Sequence, residues 1–483
     1  MKQGGVCRRD FLLGSGLVGG LGLAQGPISR AAEDDFVLVK AKRKPPDQWT
    51  TYPTRTIRQL HGFVPGSATD GRSRYGGWQG RKLEPAGYFR TWRQGDRWWL
   101  VDPDGYPYIN VGLGEVSPGR SPRAQAALKA KFGTADKWAE ETTRLLADNS
   151  FNSMGGSTAA ELRQVPRRLP YTMLYSFKNS FPPARQPRMP VELDTNFCIP
   201  VFHPGFEAHC DERAKGLAAF KNDPYLIGYF SDNEMSAPGE LLDMSLTLDP
   251  RNPDTAPGYQ AARAWLTKRK GPKASFPDIT DQDRDAFRGY VFDRYFEVTT
   301  RAIRRYDPNH LCLGSRLHAM TSPDPRFWGP FRSPAIWRAA GKYLDVIAVN
   351  IYWQWSPDRN MLAMWHKESA KPIMVSEFYA KGDDMGFPNQ SGSGWIVPAQ
   401  ADRALFYQNF TLGLLESKCC VGWNWFKYQD NDPEDPSADI TNRDSNKGIV
   451  TIGYEPYKPA LDGIEELNRQ VYAVIQHFDK NNK

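Results

Sequence analysis

The chain is 483 residues long, 40% hydrophobic and 24% charged, enough apolar material for a sizeable core and more than a usual single-domain length. Its 62 basic residues are dispersed among 55 acids for a formal charge of +7, without the long basic runs of a nucleic-acid binder, so nucleic acid is excluded as a partner. Cys7 aside, the five cysteines Cys198, Cys210, Cys312, Cys419 and Cys420 are an odd number; Cys312 and the adjacent pair sit in apolar runs as small core residues, and Cys198 with Cys210 is the pairing to weigh.

Residues 1–31 open with Arg8-Arg9-Asp10-Phe11-Leu12-Leu13 and a Gly/Leu-rich stretch to Ala24, a pattern that resembles a twin-arginine export signal, an address and not part of the fold. The apolar stretch is too short to cross a bilayer of ~30 Å as a helix, so no stable membrane insertion is expected and the protein is read as periplasmic or secreted, exported folded. Without Lys2, Arg8, Arg9, Arg30 and Asp10 the charge falls from +7 to +4.

Residues 32–106 form an N-terminal region, irregular over 32–80 and β-rich after Gly87. Arg97-Trp98-Trp99-Leu100-Val101 is followed by Asp102-Pro103-Asp104-Gly105, and Asp-Gly between apolar runs signals a hairpin.

From residue 107 to 483, strand-like runs alternate with helical ones. The strands are expected at Tyr108 to Leu113, Asn152 to Gly155, Tyr171 to Phe177, Leu226 to Phe230, Leu311 to Arg316, Val346 to Tyr352, Ile373 to Phe378 and Val421 to Phe426. Helical patterns cover Ala124 to Phe132, Trp138 to Asp148, Asp283 to Tyr306 and Ala399 to Leu415. Eight such units predict an α/β fold, a (β/α)8 TIM barrel with a small N-terminal β-rich element. An open doubly wound sheet is the alternative, but no glycine-rich phosphate loop follows a strand.

Two of these runs, Leu226 to Phe230 with Ser231-Asp232-Asn233-Glu234, and Pro372 to Phe378 with Glu377, deliver a glutamate at a strand end. Retaining glycoside hydrolysis needs this: one carboxyl protonates the leaving oxygen while another, ~5–5.5 Å away, attacks the anomeric carbon. A strand-end glutamate standing alone is more often a salt-bridge partner. Asn233 is placed for a sugar 2-hydroxyl, or as a strand-end cap, and Tyr352 for a bond to the nucleophile, or as a half-buried core tyrosine.

Trp423 and Trp425, two apart on one strand, share a side, and a sugar platform at the barrel mouth is expected from at least one of them, with packing under the helices as the alternative for at least one tryptophan or for Asn424. Trp353 and Trp355, on the loop after the sixth strand, are candidates for outer subsites. Arg316 and His318 flank the end of the fifth strand to meet substrate, though an ion pair explains Arg316 equally well; Glu115 adds a third carboxylate at the mouth. No His-Glu-x-x-His run or Gly-x-Ser-x-Gly elbow is present, and no metal or cofactor is expected. His203, His209 and Cys210 read as a surface loop, and calcium in the acidic loop from Asp430 to Asp444 is the less common use of such charges.

The strand endings Ser-Asp-Asn-Glu and Val-Ser-Glu-Phe, with Gly422-Trp423-Asn424-Trp425-Phe426, resemble glycoside hydrolases of clan A. The Arg97 to Gly105 run, Asp307 to Arg316, Val349-Asn350-Ile351-Tyr352 and Asn446-Lys447-Gly448-Ile449-Val450 resemble the agarase-like enzymes of glycoside hydrolase family 50, over roughly residues 85 to 465. The resemblance implies Glu234 as acid/base, Glu377 as nucleophile, Asn350 among the substrate-binding residues, and a galactan polysaccharide or oligosaccharide, sulfated galactan included, as partner. Where the family pattern has Asn-His after strand one, this chain has Gly114-Glu115; His203-Pro204 stands where Asp-Pro is expected. A clan A hydrolase on mannan or glucan, and a non-catalytic polysaccharide-binding barrel, are the competing readings.

Overall fold

The computed structural model describes residues 35–66, 71–182, 199–235, 237–318 and 329–481. Eight parallel strand positions form its centre: β1 (Asn110–Gly114), β2 (Ser153–Met154), β3 (Tyr171–Leu174), β4 (Leu226–Phe230), β5 in two pieces (Leu311–Gly314 and Leu317–His318), β6 (Ile347–Asn350), β7 (Ile373–Phe378) and β8 (Cys420–Phe426). The first piece of β5 pairs with β4 and the second with β6. The break at Ser315-Arg316 therefore closes the sheet into an α/β TIM-like barrel.

The strands are buried on both faces, as a parallel sheet with helices outside and side chains inside demands. Gly228 shows how close the strands come: a Cβ there would lie 2.2 Å from the Leu311 carbonyl oxygen, so β4 meets β5 only through glycine. Outside the sheet, the helix Asp281–Tyr306 starts from a capping box in which Thr280 and Asp283 satisfy each other's backbone N–H groups. The terminal helix Lys458–Asn481 packs along Gln400–Glu416.

Ahead of the barrel, Arg90–Gln94, Arg97–Val101 and Pro107–Tyr108 make a three-stranded antiparallel sheet, turned at Asp104-Gly105 with Gly105 at φ 94°. Leu100 and Tyr108 from this sheet, with Phe89 and Tyr75, form one buried cluster with Ile227, Leu313, Val346, Met374 and Val421 from the barrel strands. The N-terminal element thus plugs the barrel at the end where the strands begin, leaving the opposite mouth open. The expected single strand from Tyr108 to Leu113 is in fact two, because Pro107–Tyr108 completes the plug while Asn110–Gly114 enters the barrel.

The described residues of the 32–80 stretch, 35–66 and 71–80, are less irregular than expected. Val37–Ala41 and Thr50–Thr54 pair antiparallel, and Lys42 exchanges backbone hydrogen bonds of 3.0 and 2.8 Å with Ile396, which docks this hairpin beside the strand Trp395–Val397 near the open mouth. Cys210, Cys312, Cys419 and Cys420 are buried thiols. Cys198 lies outside the described residues, as do residues 1–31. Among the described residues no helix is long and apolar enough to cross a membrane.

Candidate active site

The open mouth is built from strained backbone. Glu115, Ser157, Glu234, Arg316 and Trp353 all have positive φ, between 47° and 67°, and each follows or interrupts a barrel strand at its C-terminal end. Non-glycine residues adopt this region at a cost and cluster at functional sites. The first four line a cavity of about 370 Å³ together with Asn233, His318, Tyr352, Glu377, Tyr379 and Phe426, at the barrel face where TIM-barrel active sites lie. A second cavity of about 390 Å³ shares Glu115, Ser157, Phe426, Asp439 and Asn442 with it and runs beneath the 430–442 loop.

The two glutamates meet in the first cavity in unlike surroundings. Glu377, on β7, has a side chain only 7% exposed. It accepts a 2.6 Å bond from the Arg316 guanidinium on Oε1 and a short bond from the Tyr352 hydroxyl on Oε2. Glu234, past the end of β4, has a side chain 31% exposed. It accepts a 2.7 Å bond from Asn350 Nδ2 on Oε1, with His318 Nδ1 3.6 Å from the same oxygen.

Each partner is itself held. The Glu234 backbone N–H donates to the Ser315 and Arg316 carbonyls at 3.1 and 3.3 Å, so the break in β5 that closes the barrel also aims both glutamates. Asn350 is fully buried and accepts from Ser376 Oγ at 2.7 Å, while its Nδ2 lies 3.4 Å from Asn233 Oδ1. Asp232 takes the backbone N–H groups of Lys178 and Asn179 and the Tyr295 hydroxyl, which fixes the segment carrying Asn233 and Glu234. Arg316 lies over the Phe230 ring, 5.5 Å from its centroid. Glu115 pairs with Lys427 at 3.0 Å; burial alone would raise its carboxyl, but Lys427 and Lys447 hold it below the usual carboxylate range.

The tryptophans depart from expectation. Trp423 and Trp425 do share a side, but it is the outer one: both are fully buried, Trp423 Nε1 donating to Tyr407 and Trp425 Nε1 to the Lys447 carbonyl. The register between β7 and β8 shifts between Cys420 and Gly422, which turns Asn424 and Phe426 inward. The interior has no room for an indole there, since Gly112 already lies against Asn424. Trp425→Ala should therefore cost about 3–5 kcal/mol of stability in denaturant unfolding. Unchanged stability with a raised KM would restore the platform role.

Trp355 is likewise buried, stacked 5.0 Å from Tyr52 and bonded to Thr54; it seats the N-terminal hairpin and forms no subsite. Trp353 follows Tyr352 but lies under the Arg43 guanidinium, 5.7 Å away, outside the cavity lining. His203 caps Gly205 and packs on Phe181, away from the cavity.

Among the described residues, no group of three or more His, Cys, Asp or Glu side chains is arranged to hold a metal ion. The acidic loop spends its carboxylates on protein donors: Asp430 on the N–H groups of Lys447 and Gly448 and on Tyr457, Asp432 on Arg123, Asp444 on Gln390 and Ser391. Sequence reasoning missed Ser157, Tyr379 and Phe426 in the lining. Phe426 faces opposite to Trp425 on the same strand, so an inward reading of the tryptophans left it out.

No family model matches the chain. Two curated proteins, both of Vibrio sp. (strain JT0107), align with most of it. "Beta-agarase B" is 24% identical over 506 residues, covering 84% of this chain and 51% of that protein. "Beta-agarase A" is 26% identical over 421 residues, covering 76% and 40%. The chain spans about half or less of the length of these relatives. The solved structure described as "Crystal structure of BpGH50" superposes with a TM-score of 0.79 at 29% identity, covering 92% of this chain and 96% of that one. The chain is similar to beta-agarases.

Proposed function

We propose that this chain is a retaining β-glycoside hydrolase acting on a galactan of the agar type or its oligosaccharides. The observation that carries the reading is that Glu234 and Glu377 line one cavity with different hydrogen-bond partners, and the likeness to beta-agarases and to a GH50 structure supports the substrate class. The same pair of strand-end glutamates supports reading the chain as a clan A hydrolase.

In this mechanism Glu377 attacks the anomeric carbon as the glycosidic C–O bond breaks, and Glu234 gives its proton to the departing oxygen. A water then loses its proton to Glu234, attacks the same carbon and releases Glu377. Arg316 and Tyr352 fix both oxygens of the nucleophile, while Asn350 orients the acid and Asn233 meets the sugar 2-hydroxyl, a contact that strengthens in the transition state. A screen against algal galactans and plant β-glycans tests the substrate class. Oligosaccharides are expected from agarose or its relatives. Release from mannan or glucan alone would overturn the galactan assignment, and binding without any product would leave a polysaccharide-binding barrel.

Export by the twin-arginine route is proposed with it, on the Arg8-Arg9 pattern. Replacing both arginines by lysine should hold the protein in the cytoplasm, since the pair is what the receptor reads; an unchanged periplasmic yield would contradict the assignment.

A further inference from the structure

Lys447 is a buried charge that the mechanism above leaves unused. It is 0% exposed, and its backbone is pinned on both sides, the N–H donating to Asp430 Oδ1 at 2.8 Å and the carbonyl accepting from Trp425 Nε1 at 3.0 Å. Its Nζ has no hydrogen-bond partner among the described residues. It lies instead 4.5 Å from the centroid of the Phe426 ring and 5.5 Å from that of Tyr379, two of the aromatic rings that line the cavity with Glu377.

An ammonium withdrawn from water without an acceptor is costly, and a desolvated cation–π contact offsets only part of that. A methionine of similar length would carry no such penalty, so packing does not account for a lysine here. What surrounds the charge does. Lys427, paired with Glu115, lies over the same Phe426 ring at 6.0 Å; Glu115, Glu377 and Asp439 act on the ammonium as opposite charges, and Glu377 in turn faces Arg316, Glu234 and Tyr352.

We propose that Lys447 is a positioning residue for the nucleophile: its buried ammonium, screened from the cavity by Phe426 and Tyr379, holds Glu377 in the ionised form that attacks the anomeric carbon. The inference rests on Glu377 being the nucleophile. Burial holds the Lys447 ammonium down to about 7, with Lys427 pushing the same way and Glu115 and Glu377 pulling it up. Burial pushes the Glu377 carboxyl up to about 7, against Arg316, with Glu234 adding to the rise and Tyr352 and Lys447 opposing it. Each group acts on the other as an opposite charge, so removing either one moves the titration of the other. The coupling is also reciprocal: whatever Lys447 does to Glu377, Glu377 does equally to Lys447.

The test is the pH profile of kcat/KM on an agarose oligosaccharide. In Lys447→Met the acidic limb should move to higher pH, with activity recovering above it, whereas a purely structural role would lower activity evenly at every pH. A second measurement uses the wild-type protein, so that a misfolded variant decides nothing. A 2-deoxy-2-fluoroglycosyl fluoride traps Glu377 as its ester, the carboxylate oxygen bonding to the anomeric carbon as the C–F bond breaks and fluoride leaves with the electron pair. Nitrogen-15 NMR of the lysine Nζ groups should then show one that titrates near neutrality moving to lower pH. An unshifted acidic limb in folded Lys447→Met, or no lysine responding to the trap, would overturn the inference. Neither outcome touches the identity of the nucleophile, which falls only if Glu377 is not the residue trapped.

Discussion

Glu377→Ala should abolish turnover on every substrate, by on the order of 10⁵-fold, because without this carboxylate no glycosyl-enzyme ester forms. Added azide should then attack from the opposite face and yield a glycosyl azide of inverted configuration. The substitution also leaves the Arg316 guanidinium, 7% exposed, without its carboxylate, and an unpaired buried charge destabilises. Glu377→Gln separates the two effects: it keeps an acceptor oxygen for Arg316 or Tyr352 but remains a far poorer nucleophile. Full activity in either variant, with an intact fold by circular dichroism, would remove Glu377 from the chemistry.

Glu234→Ala should behave differently. On a galactan, where the leaving oxygen needs a proton, the loss should be about 10²- to 10⁴-fold. On an aryl glycoside with an acidic phenol the first step should keep appreciable rate, the glycosyl-enzyme should accumulate, and azide should relieve it with retention, since the attack now comes on the ester from the face the leaving group left. Glu234 is part exposed and its Asn350 partner retains Ser376, so little stability should be lost. Equal losses on both substrates would deny Glu234 the acid/base role.

Much of this arrangement is legible in the residues alone. The apolar runs of β4 and β7 are buried on both faces, so each reads as one apolar stretch with a glutamate at or just past its end, and the eight strand positions follow from the same signal. The closure through β5 is not legible, because nothing in Leu311 to His318 announces that Ser315-Arg316 breaks the strand and passes it from β4 to β6. The hairpin Val37–Ala41 with Thr50–Thr54 was hidden for another reason: its strands are largely exposed, and Pro53 occupies one of them, which reads as loop.

For the tryptophans, strand periodicity establishes which residues share a side but not which side is the interior. On β8 the register shift at Cys420-Gly422 decides it, and that shift depends on the neighbouring strand. Lys447 is beyond local reading altogether. Between Asn446 and Gly448 it looks like a surface lysine, and only the fold brings Phe426 and Tyr379 over its ammonium.

The central claim is a double displacement between two glutamates in one cavity, and the configuration of the first-formed product tests it most directly. Two carboxyls ~5–5.5 Å apart leave no space for a water between nucleophile and sugar, whereas inversion needs roughly 6.5–9.5 Å. Proton NMR during the first minutes of hydrolysis of a β-linked galactan oligosaccharide should show the β-anomer appearing first, with the α-anomer growing in only as mutarotation proceeds. Appearance of the α-anomer first would contradict the mechanism.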